Sequence, residues 1–408
     1  MIRSIAFMLA VLGLSACGAE TAPTPGTVQG FDLARLENME RVFGQQVEEG
    51  RLPGAVMLVS RRGEIIHEDA VGFADIDAGT PLRTDSLFRI YSMTKPVVTV
   101  AALQQIEDGL YTLDTPVTAF LPEFGALQVS GEDGELRPVS ATMTIRHLMT
   151  HTAGFSYNSY GLVEAADSLD AFIEAIAAEP LPHEPGAAFE YGLETDVLGA
   201  IVERAGGKPL ADILEARIFE PLSMEDTGFC VEGSDLSRLT SLYEYGDEPV
   251  LAVRETAQDS RWACPVKMAE GGGGLVSTAR DFWRFAEALR LGGERDGVRI
   301  ISEDSAALLA APQEGVDEAA TTSWWMGGTD WGLNMAVVTD ASANEWLDVD
   351  GNYYWSGAAS TYFWIDPSNE MTAIFMTQVL RGSHPNTFKD DHRNLVYEAL
   401  VEPARPAE

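Results

Sequence analysis

The chain has 408 residues, of which 46% are hydrophobic, and its formal net charge is −36 at pH 7. This length allows one large domain or two to three ordinary ones, and the apolar content argues against global disorder. The negative charge argues against nucleic acid as a partner, because neutralising phosphates requires a surface rich in lysine and arginine. The acidic residues are spread along the chain, so we attribute them to solubility.

The first residues carry the features of an export signal. Arg3 precedes an apolar run from Ile5 to Leu14, which is shorter than the about 20 residues that cross a bilayer. The run ends in LSAC, which resembles a bacterial lipoprotein processing box. We therefore expect residues 1–16 to be a lipoprotein signal peptide and Cys17 to carry a lipid anchor in the bacterial cell envelope, facing the periplasm and in the outer membrane rather than the inner one. An ordinary signal peptide with a coincidental cysteine is the alternative.

Residues 17–30 are small, polar and contain proline, so they are predicted to form a flexible tether. Two further cysteines follow, Cys230 and Cys264. An exported protein meets oxidising conditions, which permits a disulfide between them. Two buried thiols are the alternative, because the sequence does not supply the Cα separation that a disulfide requires.

The spacing of apolar residues predicts elements along the whole chain. The predicted elements are a helix at 31–50, two strands at 54–75, a helix at 92–109, helices at 168–180 and 195–207, a glycine turn and helix at 271–293, two strands at 360–378 and a helix at 390–401. Strands thus lie at both ends and helices in the middle. This order predicts an α/β part at 31–110 and 271–400, with a helical part inserted at 111–270.

The stretch RIYSMTKPVV, residues 89–98, places Ser92 and Lys95 three residues apart. Pro96 is compatible with a helix start here, and the helix would put Ser92 and Lys95 on one face. Because this helix is apolar almost all round, we expect a buried lysine. Desolvation lowers the pKa of an amine, so Lys95 could accept the serine proton, whereas an arginine would stay protonated. The alternative is that Ser92 caps a core helix and Lys95 extends to solvent.

The surroundings of this pair resemble a known family. LFRIYSMTKPV resembles the S-x-x-K nucleophile motif of serine β-lactamases and penicillin-binding proteins. TIRHLMTHTAGF, PGAAFEYGLETDVLGAIVERAGG, IFEPLSMEDTGF and GGGGLVSTARDFWRFAEAL follow in the order of the class C β-lactamase-like branch. The resemblance covers residues 31–400 as one catalytic domain. It implies an α/β β-lactamase/transpeptidase-like fold, with an antiparallel sheet flanked by helices and an inserted all-helical subdomain.

The resemblance also implies roles for individual residues. Ser92 looks like the nucleophile that accepts the acyl group, and Lys95 like its proton partner. Tyr191, in EYGLETD, matches the tyrosine of the second family motif and would relay protons; a buried aromatic at a helix start is the alternative. The backbone N–H groups of Ser92 and Ala358 would form the oxyanion hole.

Two departures from the family pattern bear on the substrate. The second motif of the lactamases is Tyr-Ser-Asn and the third is Lys-Thr-Gly, whereas this chain has Tyr-Gly-Leu and Trp-Ser-Gly. Losing a buried charge-assisted contact costs about 1.5–3 kcal/mol, so anionic β-lactams should bind poorly and neutral, apolar esters well. Both departures are similar to the family VIII carboxylesterases, and no G-x-S-x-G elbow is present. The residues expected to bind substrate are Leu193, Trp355, Ser356 and Gly357.

Histidines and tryptophans offer weaker signals. His147 and His151 are four residues apart, but no nearby carboxylate completes a metal site, so we expect structural roles and no metal. His384 and His392 have no evident partner either. Trp324, Trp325 and Trp331 could line an acyl pocket, although we expect core packing.

The sequence therefore predicts a serine hydrolase that cleaves short-acyl carboxylic esters through an acyl-enzyme on Ser92. Its partner would be a small-molecule ester, with no cofactor; the oligomeric state is not indicated. A β-lactamase or D-amino-acid peptidase is the alternative within the enzymes. A non-catalytic envelope lipoprotein with the same fold is the alternative from another class.

Overall fold

A computed structural model describes residues 26–131, 134–246, 250–313, 315–316, 327–343, 347–380 and 387–403. The predicted signal peptide, Cys17, Trp324, Trp325 and His384 lie outside these residues. The lipid anchor therefore stays a prediction. Within the described ranges, no helix is both long and apolar enough to cross a membrane.

One antiparallel sheet of eight strands is the centre of the described part of the chain. One of its inner strands, Gly54–Arg61, is buried along its whole length, as expected for a strand covered on both faces. It pairs with Glu64–Asp75 on one side and with Met371–Met376 on the other. This pairing confirms a sheet built from distant segments. The remaining strands are Tyr362–Asp366, Tyr353–Ser356, Ala336–Val338 and Thr329–Trp331 beyond Met371–Met376, and Thr80–Pro81 beyond Glu64–Asp75.

Helices cover both faces of this sheet. On one face the ring centroids of Phe43 and Phe375 lie 5.1 Å apart, and on the other those of Phe282 and Phe363 lie 4.8 Å apart. Ring pairs at such distances bury large apolar areas and fix how the helices sit on the strands. The covering helices are Leu33–Glu48 and Phe388–Ala399 on the first face and Ala279–Arg290 on the second.

The segment inserted between the two parts of the sheet is mostly helical. It also carries two short strand pairs that the expectation of an all-helical subdomain did not include: Gln128–Ser130 with Leu136–Pro138, and Leu242–Tyr245 with Leu251–Glu255. Its helices are Ile145–Met149, Tyr160–Ala165, Leu169–Ile176, Glu194–Gly206, Leu210–Leu214 and Glu220–Leu222, and a further helix, Glu303–Leu309, follows after it.

The predicted tether and the cysteine pair can also be compared with the structure. Thr27–Val28 pairs with Phe31–Asp32, so the tether predicted through residue 30 extends into a paired segment. Cys230 and Cys264 form a disulfide with a Cα–Cα distance of 5.1 Å.

The helix that follows Ser92 occupies the junction between the sheet and the inserted segment. Tyr91–Met93 form a 3₁₀ turn that continues into the helix Thr94–Glu107. This helix packs against Glu194–Gly206, while the turn before it contacts the strand Tyr353–Ser356. Because it is covered on all sides, its almost wholly apolar sequence has no solvent face.

Candidate active site

The head of Lys95 is the centre of a buried polar cluster. The Lys95 side chain is 0% exposed. Its Nζ lies 3.4 Å from the Oγ of Ser92, 3.0 Å from the Oη of Tyr157 and 2.7 Å from the carbonyl oxygen of Gly272. These three acceptors match the three N–H donors of an ammonium group. The structure thus brings the predicted pair together and adds two partners that the motif did not indicate.

The backbone just before Ser92 is strained. Tyr91 has a φ of +45°, a left-handed conformation that costs a non-glycine residue about 1–3 kcal/mol. The Tyr91 ring packs edge-on against Trp262, with centroids 5.3 Å apart, which helps to hold this conformation. Ser92 itself is half-buried, so part of this residue remains accessible to solvent.

Tyr191 lies against the same ammonium group. The Lys95 Nζ is 5.0 Å from the centroid of the Tyr191 ring, and the Tyr157 ring centroid is 5.6 Å from that of Tyr191. A cation over an aromatic face is attracted by the ring quadrupole. The predicted tyrosine and the unpredicted Tyr157 therefore both border Lys95, close to Ser92.

The glycine of the second motif explains why Tyr157 comes so close. A Cβ atom on Gly192 would lie 1.6 Å from the carbonyl oxygen of Phe155, so the serine of the lactamase motif does not fit here. The resulting backbone contact between Gly192 and Ser156 places the next residue, Tyr157, beside Tyr191. Leu193 is 0% exposed, so it presents no surface to a substrate, which differs from its expected role.

The third motif supplies an aromatic wall. Trp355 is 2% exposed, and its ring centroid lies 5.3 Å from Tyr191 and 4.6 Å from Trp331. Trp331 is also buried and packs in the core as expected. Trp355 thus occupies an apolar cluster at the position where the lactamases carry a lysine. Ser356 is half-buried.

The turn after Trp355 is docked close to the nucleophile. A Cβ on Gly357 would lie 2.4 Å from the carbonyl oxygen of Ile90, two residues before Ser92, so only glycine allows this approach. Thr361 reinforces the contact, because its hydroxyl donates to the same carbonyl at 3.3 Å. Ala358, the predicted second oxyanion donor, is an exposed residue of this turn.

The charges around Lys95 change its titration. Burial lowers the pKa of the Lys95 amine, but the oxygens of Tyr157 and Tyr191 and the carboxylate of Asp196 raise it by more, so the net shift is upward. The sequence predicted a lowered pKa from desolvation alone, and that prediction was wrong. Burial also raises the pKa of Tyr157 well above its usual range, although Lys95 partly opposes this.

A buried carboxylate adjoins the cluster through Gly272. The backbone N–H of Gly272 donates to Asp196 Oδ1 at 2.8 Å. Burial and the charge of Glu270 raise the pKa of Asp196 to about 7, against the opposing effect of Lys95. Asp196 lies five residues after Tyr191 in the second motif, and this position was the available signal for it.

The histidines have structural partners. His147 Nδ1 accepts the Thr144 backbone N–H at 3.1 Å and caps the helix Ile145–Met149. His151 Nδ1 lies 2.8 Å from Glu194 Oε2, so a carboxylate from another segment holds this buried ring. No group of three or more His, Cys, Asp or Glu side chains suited to a metal ion occurs within the described ranges.

A cavity of about 610 Å³ borders the nucleophile turn, and its lining includes Tyr91, Tyr160, Arg261 and Trp262. Arg261 Nη2 donates to Tyr160 Oη at 3.0 Å and lies 3.6 Å from a carboxylate oxygen of Glu270. Ligand pockets usually enclose about 300–1,000 Å³. The cavity therefore has room for a sizeable small molecule beside Tyr91, the residue that precedes Ser92.

Comparison with known proteins identifies the family. The model of the Beta-lactamase family matches residues 39–398. The Mycobacterium tuberculosis protein Rv1367c is 33% identical over an alignment of 364 positions, which covers 84% of this chain and 90% of that protein. Esterase EstB of Burkholderia gladioli is 31% identical over an alignment of 387 positions, which covers 88% of this chain and 94% of EstB.

A solved structure agrees with these matches. EstCE1, described as a hydrolase with promiscuous acyltransferase activity, superposes with a TM-score of 0.76 at 27% identity. The superposition covers 90% of this chain and 98% of EstCE1. The fold and the family expected from the motifs are thus confirmed, and the chain belongs to the β-lactamase family.

Proposed function

We propose that the protein is a serine carboxylesterase that hydrolyses short-acyl esters through an acyl-enzyme on Ser92. The observation that carries this proposal is the buried Lys95 ammonium, which contacts both the Ser92 hydroxyl and the Tyr157 hydroxyl. A hydroxyl beside a lysine and a phenol has the partners that activate a serine nucleophile. The esterase activity named for EstB supports the same reaction class.

The reaction has two steps. The Oγ of Ser92 attacks the ester carbonyl carbon, and the alkoxy group leaves as that carbon–oxygen bond breaks. The serine proton passes to the cluster formed by Lys95, Tyr157 and Tyr191 and then to the leaving alkoxide. Water next attacks the acyl-enzyme, gives its proton to the same cluster, and the carboxylic acid leaves as the serine is restored.

The proton acceptor is whichever group of this cluster is unprotonated, either the lysine or a phenol. An ammonium beside a phenolate and an amine beside a phenol are both one proton short of the fully protonated cluster, so either form can accept a proton. The pKa values of Lys95 and Tyr157 are shifted upward, so this proton-accepting form is scarcely populated at neutral pH. Whichever group is unprotonated, it receives the Ser92 proton over a short path, because Lys95 Nζ already contacts the Ser92 oxygen.

The developing negative charge needs hydrogen-bond donors. We assign this role to the backbone N–H groups of Ser92 and Ala358. The support is that the turn containing Ala358 is docked on Ile90, two residues before Ser92. Fixed donors at such a position stabilise an oxyanion without reorganisation.

The substrate side favours neutral esters. Trp355 is packed among Tyr191 and Trp331, so no lysine is present there to pair with an antibiotic carboxylate. We therefore assign the acyl group to the position of the half-buried Ser356, next to this apolar cluster. The cavity beside Tyr91 would receive the alcohol portion.

The experiment compares p-nitrophenyl butyrate with nitrocefin, a chromogenic β-lactam. We expect rapid ester turnover, slow nitrocefin turnover, and loss of ester turnover by at least about 100-fold in Ser92→Ala. Ser305→Ala is the matched control, because this half-buried serine lies on the separate helix Glu303–Leu309. Fast nitrocefin turnover with slow ester turnover would favour a β-lactamase instead. Absence of both activities, with no labelling by a fluorophosphonate, would favour the non-catalytic alternative.

Acyl transfer to an alcohol is a second candidate. The large cavity beside Tyr91 could hold an acceptor alcohol in place of water, and the description of EstCE1 names acyltransferase activity. The test is product analysis with vinyl butyrate and a range of alcohols. A ratio of butyrate ester to butyric acid that is the same for every added alcohol, and equal to the ratio found without the enzyme, would reject this candidate.

A further inference from the structure

A single glycine connects a buried carboxylate to the catalytic cluster. The N–H of Gly272 donates to Asp196 Oδ1 at 2.8 Å, and the carbonyl of the same residue accepts from Lys95 Nζ at 2.7 Å. Asp196 is 1% exposed and Lys95 is 0% exposed. Both hydrogen bonds therefore lie in a low-dielectric interior, where a charge-assisted bond is strong.

The glycine run 271–274 is what permits this arrangement. A Cβ on Gly272 would lie 2.4 Å from Asp196 Oδ2, and one on Gly271 would lie 2.6 Å from the carbonyl oxygen of Thr195. The loop thus lies directly on the first turn of the helix Glu194–Gly206. Any other side chain at these positions would push the loop, and the carbonyl that holds Lys95, away from this helix.

Charge gives Asp196 a second role. A buried ammonium is costly unless a negative group compensates it, and the carboxylate of Asp196 raises the pKa of Lys95. Five groups on the surrounding elements face Asp196. Glu270 and Glu194 raise the pKa of Asp196, and Lys95 lowers it. Asp196 in turn raises the pKa values of Tyr157 and Tyr160.

We propose that Asp196 is a positioning residue, which holds the Lys95 head beside Ser92 through Gly272 and supplies the counter-charge for that ammonium group. This inference rests on the proposed function, because it needs Lys95 to serve Ser92. Asp196 does not touch the substrate in this account. Its effect on the reaction passes through the position and protonation of Lys95.

The test is the pH profile of kcat/KM for p-nitrophenyl butyrate in Asp196→Asn. Asparagine keeps an oxygen that can accept the Gly272 N–H but removes the charge. Without the carboxylate the pKa of Lys95 falls, so the alkaline rise in kcat/KM should move to lower pH by about one unit or more. A profile lowered by a constant factor, with the wild-type shape, would overturn the proposal.

Controls separate this inference from the proposed function. Asp281→Asn removes another buried carboxylate, one that accepts the backbone N–H of Asp226 outside the cluster, and should leave the shape of the profile unchanged. Asp196→Ser, which keeps a smaller uncharged acceptor, is the second variant, and the same two outcomes apply to it. If Ser92→Ala keeps its ester turnover, the proposed function fails. If Ser92→Ala is inactive but Asp196→Asn and Asp196→Ser keep the wild-type profile, only the role of Asp196 fails.

Discussion

Lys95 Nζ donates to the hydroxyl oxygen of Tyr157 at 3.0 Å, and this hydrogen bond joins residues that are 62 positions apart. The phenol of Tyr157 is therefore held at the ammonium group that also contacts Ser92. Tyr157 thus adds a second phenol to the cluster that already contains Tyr191, the tyrosine of the second family motif.

Removing the Tyr157 hydroxyl should reduce turnover. We expect Tyr157→Phe to lower kcat for p-nitrophenyl butyrate by about 10- to 100-fold, because a buried charge-assisted hydrogen bond to Lys95 is lost. The matched control is Tyr111→Phe, which removes a buried phenol that donates to Gln105 at 2.8 Å outside the cluster. Wild-type kcat in Tyr157→Phe would show that this contact is not used in the reaction.

The rate of ester hydrolysis should rise with pH. Burial lowers the pKa of Lys95, but its phenol and carboxylate neighbours raise it by more, so the net shift is upward. Burial also raises the pKa of Tyr157. The basic form of the cluster is therefore more populated at pH 9 than at pH 7. Steady-state kinetics between pH 6 and 9, corrected for spontaneous hydrolysis, should show kcat/KM increasing throughout. A maximum at or below pH 7 would contradict the assigned protonation states.

The glycine after Tyr191 should resist substitution. A Cβ at Gly192 would lie 1.6 Å from the backbone oxygen of Phe155, so Gly192→Ala must displace the segment that carries Tyr157. We expect a loss of about 1–3 kcal/mol in the free energy of unfolding, as for other overpacked sites, together with reduced turnover. Urea denaturation measures the first effect.

Gly44→Ala is the control for this substitution. Gly44 lies inside the helix Leu33–Glu48, and a Cβ there would meet no atom within 4 Å. Replacing such a glycine by alanine should stabilise the protein by about 0.5–1 kcal/mol. Equal stability of the Gly192 and Gly44 variants would refute the close contact with Phe155.

A buried histidine should make the fold sensitive to acid. Burial lowers the pKa of His392 to about 3, and its ring lies among Phe43, Trp364 and Phe375. The unfolded chain binds a proton at this site below about pH 6.5 whereas the folded chain does not, so stability is present above pH 6.5 and is lost as the pH falls towards 3. His392→Leu should reduce this loss in urea denaturation measured at pH 7 and pH 4.5. An unchanged difference between the two pH values would assign the acid sensitivity to other groups.

The disulfide should stabilise one wall of the cavity beside Tyr91. Cys230 and Cys264 enclose a sequence separation of 34, and this loop carries Arg261 and Trp262. Removing the bridge in Cys230→Ser/Cys264→Ser should lower the free energy of unfolding by about 2–4 kcal/mol, mainly because the unfolded chain gains freedom. The wild-type protein should lose the same amount in the presence of dithiothreitol, and the double variant should not respond to it. A response of the double variant to dithiothreitol would contradict this assignment.

The parts of the site that could be predicted from sequence are local. Ser92 and Lys95 lie three residues apart on one turn, so a helical pattern is enough to place them on one face. The two strands at 54–75 were predictable because Arg62 and Gly63, both with positive φ, form the turn that such a hairpin requires. The family resemblance extended this reading to Tyr191.

The remaining parts depend on contacts between distant segments. Asp196 reaches Gly272 across 76 positions, and Glu194 reaches His151 across 43, and no local pattern encodes these pairs. The pKa of Lys95 illustrates the consequence. Burial could be predicted from the apolar helix, but the opposing groups come from other segments, so the predicted direction of the shift was wrong.

The central claim is that Ser92 forms a covalent acyl-enzyme, and trapping that intermediate tests it most directly. The protein is mixed with p-nitrophenyl butyrate, quenched in acid within the first turnovers, and measured by intact-mass and peptide mass spectrometry. The account predicts an added butyryl group on the peptide containing Ser92, and none in Ser92→Ala. A butyryl group on another residue, or undiminished ester turnover by Ser92→Ala, would contradict it.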